Sequence, residues 1–354
     1  MKIRHNYLSE QFKNSKKIFN LISDTVKFND FTLGRYVDSF EKEFCKYQNV
    51  KYAVGVGSGT DAIFLSLKAL GINGGDEIIT PTYSFYATAG AIATAGAKPV
   101  FVDIKEDLNI DENKIEKKIT KKTKVILPVH LTGNPSDMIA IKKIAKKYKL
   151  KIIEDSAEAL GTFYKKKHAG TFGNAGCLSF NGNKIITTGC GGAVLTNNYK
   201  IYNFIKNKIN NGKKLNTYEL IYEQKTLNFR MPDINAALGI SQLNKIKTFI
   251  KQKRYLAQKY KELFKFTDRV RFIDEEKDTK SNCWLNSVEI DFKNLKERSL
   301  LFIKAKRINL PLRPAWTPLN KLRFLKNCPR SNLNNTNKIY KKIICLPSSA
   351  ILGK

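Results

Sequence analysis

Along the N-terminal two thirds of the chain, short apolar runs alternate with stretches in which apolar residues recur at helical spacing. Tyr52 to Val56, Glu77 to Thr80, Pro99 to Asp103, Val125 to Val129 and Lys151 to Glu154 read as strands. Between them, Ala62 to Leu70, Ala87 to Ala95 and Met138 to Tyr148 read as helices. Strands joined through helices of this size imply right-handed crossovers and a largely parallel sheet covered on both faces. Ahead of them, Phe12, Ile18, Phe19, Ile22 and Val26 predict one lead-in helix and Phe40 and Phe44 a second, separated by a turn-like break at Phe31 to Arg35. Beyond Thr196 the pattern is helical and polar to about Leu215, followed by a small-residue helix from Ala236 to Leu243 and a long basic helix to about Phe264. Strand-like pieces at Val270 to Ile273 and Trp284 to Ile290 and a helix from Leu295 to Lys306 predict a smaller α+β unit. The chain is therefore expected to form two domains, over residues 1–245 and 246–354.

In such sheets ligands bind beyond the carboxyl ends of the strands, so the residues that follow each apolar run are the informative ones. They are Gly57 to Asp61, Tyr83 to Tyr86, His130, Asp155 to Glu158 and Ser179 to Lys184. Gly57-Ser-Gly-Thr60-Asp61 opens a helix, and reads either as an anion cradle of backbone N–H groups or as a tight turn with a good cap. No Gly-Lys-Ser/Thr follows it, which excludes a nucleoside-triphosphate P-loop. Lys184 lies in a polar, glycine-punctuated loop between two apolar runs, a setting that presents one amine at a fixed point and suits Schiff-base chemistry. Asp155 either caps a following helix or meets a pyridinium nitrogen. The second reading requires a lysine such as Lys184.

Composition narrows the classes. The formal charge is +32, but the lysines run from end to end without the interleaved aromatics of a single-strand binder. They read as solvated faces that attract anionic substrates rather than as a nucleic-acid surface. Six scattered cysteines with no Cys-x-x-Cys pair, and three histidines, suggest neither a zinc site nor a disulfide framework. No apolar run approaches the length of a membrane span, and Met1 to Asn6 opens no secretory leader, so we expect a cytoplasmic protein without a membrane or metal partner.

These residues resemble the DegT-type nucleotide-sugar aminotransferases, pyridoxal 5′-phosphate enzymes of fold type I. The resemblance runs from Phe31-Thr-Leu-Gly-Arg-Tyr-Val37 to Leu346-Pro-Ser-Ser349. It is strongest in Ser58-Gly-Thr-Asp-Ala62, Pro81-Thr-Tyr-Ser-Phe-Tyr-Ala-Thr88, Val129-His-Leu-Thr-Gly133, Glu154-Asp-Ser-Ala-Glu-Ala-Leu-Gly161 and the Lys184 loop with Gly191-Gly-Ala193. It implies an α/β fold with a mostly parallel seven-stranded sheet in the large domain and a smaller α+β C-terminal domain. It further implies that Lys184 bonds to the cofactor aldehyde, that Asp155 keeps the pyridinium nitrogen protonated, and that Phe85 stacks on the ring. Ser58, Gly59, Thr60, Asp61 and Ser179 match phosphate contacts, Thr60 and Asp61 through their backbone. Asn228, as a cofactor contact, and Arg230, as a substrate contact, fall in the segment that reaches the neighbouring subunit's site near the phosphate, which implies a homodimer with shared sites.

Glu158 stands where most members carry Gln or His, and is expected near the ring hydroxyl or the amine. Its string Ala157-Glu-Ala-Leu-Gly161, with Asn181-Gly-Asn-Lys-Ile-Ile-Thr-Thr188, resembles the branch that aminates C4 of UDP-4-keto-6-deoxy-N-acetylglucosamine in bacillosamine and legionaminic acid pathways. Cys283-Trp-Leu-Asn286 and Arg313-Pro-Ala-Trp316 fit the same branch, with Arg313 and Trp316 as substrate contacts or, equally, a surface arginine and a core tryptophan. The implied reaction takes the amine from glutamate, releasing 2-oxoglutarate. Amination at C3, a sugar dehydratase of the same fold, and a basic nucleic-acid binder with a decayed site are the competing readings. The dehydratase branch carries histidine in place of the lysine, so Lys184 argues against it. Thr132 and Gly57 stand where relatives often have Tyr and Asn, and relatives usually continue past Lys354 with a closing helix.

Overall fold

The computed structural model describes residues 15–28, 31–32, 34–212, 218–219, 221–222 and 226–354. Phe12 and Leu215, on which two of the helix expectations rest, lie outside them, as does Leu33 of the turn-like break.

The helices and strands alternate as the pattern predicts. Strands β1 (Tyr52–Val56), β2 (Glu77–Pro81), β3 (Lys98–Val102), β4 (Thr123–Ile126) and β5 (Lys151–Asp155) come first. After a hairpin of β6 (Phe163–Tyr164) and β7 (Lys167–His168) come β8 (Ala175–Ser179) and β9 (Gly192–Thr196). The main sheet has seven strands in the order β1-β9-β8-β5-β4-β2-β3. All are parallel except β9, which runs against both of its neighbours. The reason lies in the connection: a parallel neighbour needs a crossover of helical length, and the loop that joins β8 to β9 holds no helix. That loop carries Lys184.

Before the sheet stand α1 (Ser15–Lys27) and α2 (Arg35–Gln48). The sheet's crossovers are α3 (Gly59–Ala69), α4 (Tyr86–Thr94) and α5 (Met138–Lys147), and α6 (Tyr199–Ile209) follows β9. The lead-in helix α2 belongs to the core: the buried rings of Phe40 and Phe44 lie 5.3 and 5.1 Å from that of Phe180, at the start of the lysine loop. Each such buried ring contributes roughly 2–3 kcal/mol by leaving water. The small-residue helix α7 (Asp233–Leu243) packs tightly on α2, since a Cβ at Gly239 would come within 2.4 Å of the Phe40 ring.

After α8 (Ile246–Phe264), the chain forms β10 (Val270–Phe272), β11 (Thr279–Lys280), β12 (Ser287–Ile290), α9 (Leu295–Arg307), β13 (Arg313–Pro314) and β14 (Ile343–Cys345). Four of these strands make an antiparallel sheet in the order β10-β12-β14-β13. The fifth, β11, pairs with β6 of the N-terminal part. That pairing, two residues per strand, draws residues 281–286 back toward the carboxyl end of β5. None of the described helices is long and apolar enough to cross a membrane.

Candidate active site

Beyond the carboxyl ends of the main-sheet strands lies a cavity of about 410 Å³. One wall is the start of α3. Ser58 caps that helix, its Oγ accepting the Asp61 N–H at 3.1 Å, so the capping reading of the glycine turn is realised. The cap does not exhaust the helix terminus, whose remaining N–H groups and dipole favour an anion. Ser58, Gly59 and Thr60 line the cavity here. Ser179, at the end of β8, closes on the same turn: a Cβ at Gly59 would sit 2.8 Å from the Ser179 Cβ, so this approach requires glycine. Asp61 turns its carboxyl away toward Gly57, and burial raises its pKa.

Asp155 ends β5 in the cavity wall, and no helix starts there, which removes the capping reading. Its Oδ2 accepts the Thr88 hydroxyl at 2.7 Å and its Oδ1 the Ala157 N–H at 3.2 Å. Ser84 Oγ lies 2.9 Å from the Thr88 hydroxyl, which extends the chain of polar groups. Full burial pushes the carboxyl pKa up, opposed by the two hydrogen bonds and by the charge of Lys184. Behind it, the His130 backbone N–H donates to the Asp155 carbonyl at 3.0 Å. The His130 ring faces the other way: its Nδ1 accepts the Ser136 N–H at 3.1 Å, which leaves Nε2 to donate to Glu154 at 3.0 Å. His130 is therefore a buried brace for β5 and does not line the cavity.

Lys184 is held by its loop. Thr188 and Phe180 close the loop base through an N–H to carbonyl bond of 3.0 Å, and Asn235 at the start of α7 donates to the carbonyls of Thr188 and Cys190 at 2.8 and 2.7 Å. The lysine Nζ lies 3.5 Å from Glu158 Oε1 and 4.0 Å from the centre of the Trp284 ring. The other Glu158 oxygen accepts the Thr132 N–H at 2.8 Å. Thr132 reaches it from a left-handed backbone, φ 58°, a conformation that few non-glycine residues adopt.

Desolvation raises the Glu158 pKa to about 7, with the Lys184 charge working against the rise. The native protein thus binds one more proton than the unfolded chain between the ordinary value of 4.5 and about 7. The stability this gives is complete below pH 4.5 and is lost as the pH rises to 7, leaving a buried carboxylate that costs at most about 3 kcal/mol. Glu158→Gln is therefore expected to make the cofactor-free protein more stable than the parent above pH 7, with the difference shrinking toward pH 5. Urea unfolding at a series of pH values measures it, and equal stabilities at pH 8 contradict it.

Phe85, at the start of α4, lines the cavity and is 55% exposed, an aromatic face without a protein cover. Arg313 and Trp316 also line it; Arg313 is exposed, whereas Trp316 packs edge-on against Tyr83 and near-parallel to Trp284. Trp316 is thus half-buried, lining the cavity on one side and packing against the core on the other. Asn228 and Arg230 do not line this cavity. The Asn228 side-chain oxygen holds the Arg230 guanidinium at 3.0 Å, and Arg230 also donates to Asn210 at 3.0 Å. Sequence reasoning assigned no role to Thr88 or Trp284. Thr88 was traceable, since it follows Phe85 by three residues at the start of α4; Trp284 stands in the Cys283 to Asn286 string of the resemblance, but nothing in that string brings it to the cavity from its distant segment.

The residues present fit pyridoxal phosphate. The cavity offers a helix start for a phosphate, an open aromatic face for a ring, a buried carboxylate for a cationic ring nitrogen and an amine for an aldehyde. Fold and site together define a pyridoxal-phosphate-dependent aminotransferase of fold type I. The chain belongs to the DegT/DnrJ/EryC1/StrS aminotransferase family, whose sequence profile matches residues 13–354. It is similar to GDP-perosamine synthase of Escherichia coli, 41% identical over 72% of this chain and 70% of that one. The GDP-perosamine synthase of Vibrio cholerae is 36% identical over 82% and 78%. Among solved structures, a family aminotransferase from Brucella abortus superposes with a TM-score of 0.92 at 26% identity, over 99% of this chain and 95% of that one. PseC of Helicobacter pylori, an aminotransferase in pseudoaminic acid biosynthesis, gives 0.89 at 29% identity over 94% and 91%.

Proposed function

We propose that this sugar aminotransferase carries an amine from glutamate to C4 of a 4-keto-6-deoxy nucleotide sugar, with Lys184, Asp155 and Glu158 as its reacting groups. The observation that carries the reading is the convergence of Lys184, Asp155 and the α3 start on one cavity. Bound pyridoxal phosphate supplies an electron-withdrawing ring that accommodates the electron pair left when a proton leaves the amine-bearing carbon. Ser58, Gly59, Thr60 and Ser179 hold its phosphate, Phe85 covers its ring, and Asp155 keeps the proton on its ring nitrogen. Lys184 Nζ would take the proton from the amine-bearing carbon as a base and later give a proton back as an acid. Glu158, 3.5 Å from that amine, orients it and offsets its charge.

Arg313 and Trp316, at the cavity wall, are the contacts for the sugar diphosphate. The flanks of Lys184 suggest a UDP-linked N-acetylated sugar, whereas two relatives named for a GDP-linked product favour GDP. A second copy of the chain completes each site through Asn228 and Arg230. The exposed apolar side chains of Phe19, Val26, Phe28 and Leu227 support such a partner. The test is incubation of the holoenzyme and glutamate with UDP- and GDP-linked 4-keto-6-deoxy sugars, with products read by mass spectrometry and NMR. Amination at C4 of one of them is expected; amination at C3, or of none, refutes the proposal. A monomer at micromolar concentration in sedimentation refutes the shared site.

A further inference from the structure

We infer that the indole face of Trp284, together with Glu158, is the resting seat of the Lys184 side chain whenever its amine is not bonded to the cofactor. The inference rests on the reading of Lys184 as the cofactor-bonding residue. The Lys184 Nζ lies 4.0 Å from the Trp284 ring centre, well inside the reach at which an aromatic face attracts an ammonium group. Glu158 Oε1 flanks the same nitrogen at 3.5 Å.

The ring is fixed from every polar atom that Trp284 owns. Its backbone N–H donates to Asn282 Oδ1 at 2.8 Å, and its carbonyl accepts the buried Lys253 ammonium at 3.1 Å. Its indole N–H donates at 2.8 Å to the carbonyl of Asn183, the residue next to Lys184. Asn282 is itself tied to the carbonyls of Glu158 and Leu160 at 2.8 and 2.9 Å, so seat and carboxylate move as one body. Between Asn282 and Trp284, Cys283 adopts φ 51°, a left-handed conformation that is costly for a residue with a side chain. A strained link and three directed hydrogen bonds do more than bury a tryptophan: they set the direction of its face.

The chemistry requires such a place. In the proposed reaction Lys184 would leave the cofactor when the amine donor binds, stay within reach as a free amine while it moves protons, and bond to the cofactor again only when the aminated product departs. A seat that stabilises the free amine lowers the cost of release, and it must equally weaken the lysine–cofactor bond, because the amine quits the seat to form it.

Two probes on the cofactor-free protein separate the effects. Pyridoxal 5′-phosphate bonds to Lys184, the amine adding to the aldehyde carbon and water leaving. Pyridoxamine 5′-phosphate carries no aldehyde and leaves Lys184 free. Trp284→Met is expected to tighten binding of the first by about three- to tenfold and to leave the second unchanged. Substituting fluorinated tryptophan, which keeps shape and N–H but weakens the negative face, is expected to shift pyridoxal phosphate the same way, and it decides the matter if the methionine variant does not fold. Unchanged or weaker pyridoxal phosphate binding overturns the seat, as does an equal change for both probes, which places Trp284 against the cofactor ring instead. Failure of the parent protein to bind either probe removes the cofactor reading and the seat with it.

Discussion

Lys184→Ala is expected to lower turnover by about 10⁴-fold or more, while pyridoxamine phosphate still binds and the fold is unchanged. The size of the effect follows from the lining of the cavity. Among the described residues that line it, the cations are Lys184 and Arg313, and a guanidinium neither bonds to an aldehyde nor gives up a proton near neutral pH. No other described lysine lines the cavity, although Lys and Arg together number 63 in the chain. Lys184→Arg keeps the charge near Glu158 and is expected to fail as completely, which separates a reacting amine from a structural cation. Single-turnover assays with glutamate, following 2-oxoglutarate, measure both variants, and residual turnover within a hundredfold of the parent removes Lys184 from the proposed role. Removing the amine also leaves Glu158 without its nearest positive charge, so the variant is expected to hold that carboxyl protonated to higher pH than the parent does.

Much of this site was legible before the fold, and the boundary between legible and illegible is physical. Ser58, Asp155, Ser179 and Lys184 follow apolar runs directly, and in a parallel sheet the strand direction alone puts such residues at one edge. The lysine loop was legible as a loop between two strands; the reversal of β9 follows once no helix intervenes. Trp284, by contrast, reaches the cavity through β11, a strand of two residues whose pairing with β6 no periodicity announces. Thr132 was visible as a departure from the usual Tyr, yet what it supplies is a backbone N–H from a left-handed turn, and side-chain identity does not reveal that. His130 shows the converse error of position: it follows an apolar run as Asp155 closes one, but β4 already ends at Ile126 and the His130 ring turns to Glu154, so following an apolar run does not by itself place a residue in the site.

Asp155→Asn is expected to cost roughly 10²- to 10³-fold in turnover and to weaken cofactor binding, because the buried carboxylate gains its counter-charge only when a ring cation is bound. The substitution is isosteric, and the amide oxygen can still accept the Thr88 hydroxyl, so the wall of the cavity stays in place. What disappears is charge. Inside the fold the carboxylate has hydrogen bonds from Thr88 and Ala157 but no ion pair with a cation among the described residues, and its raised pKa records how poorly these residues compensate it. In the proposed role a protonated ring nitrogen would be the missing counter-charge, and in a buried site each group stabilises the charged form of the other more than either would be stabilised in water. Asparagine cannot hold that proton, so the nitrogen is neutral when electron density must be drawn toward it. The same reasoning fixes the sign in the cofactor-free protein. There the carboxylate is a liability, its pKa raised by burial, so Asp155→Asn is expected to unfold at a higher denaturant concentration than the parent at pH 8. Loss of turnover together with a gain in cofactor-free stability is the signature of a charge placed for a ligand; loss of both makes Asp155 a structural carboxylate, and retention of turnover within tenfold removes it from the reaction.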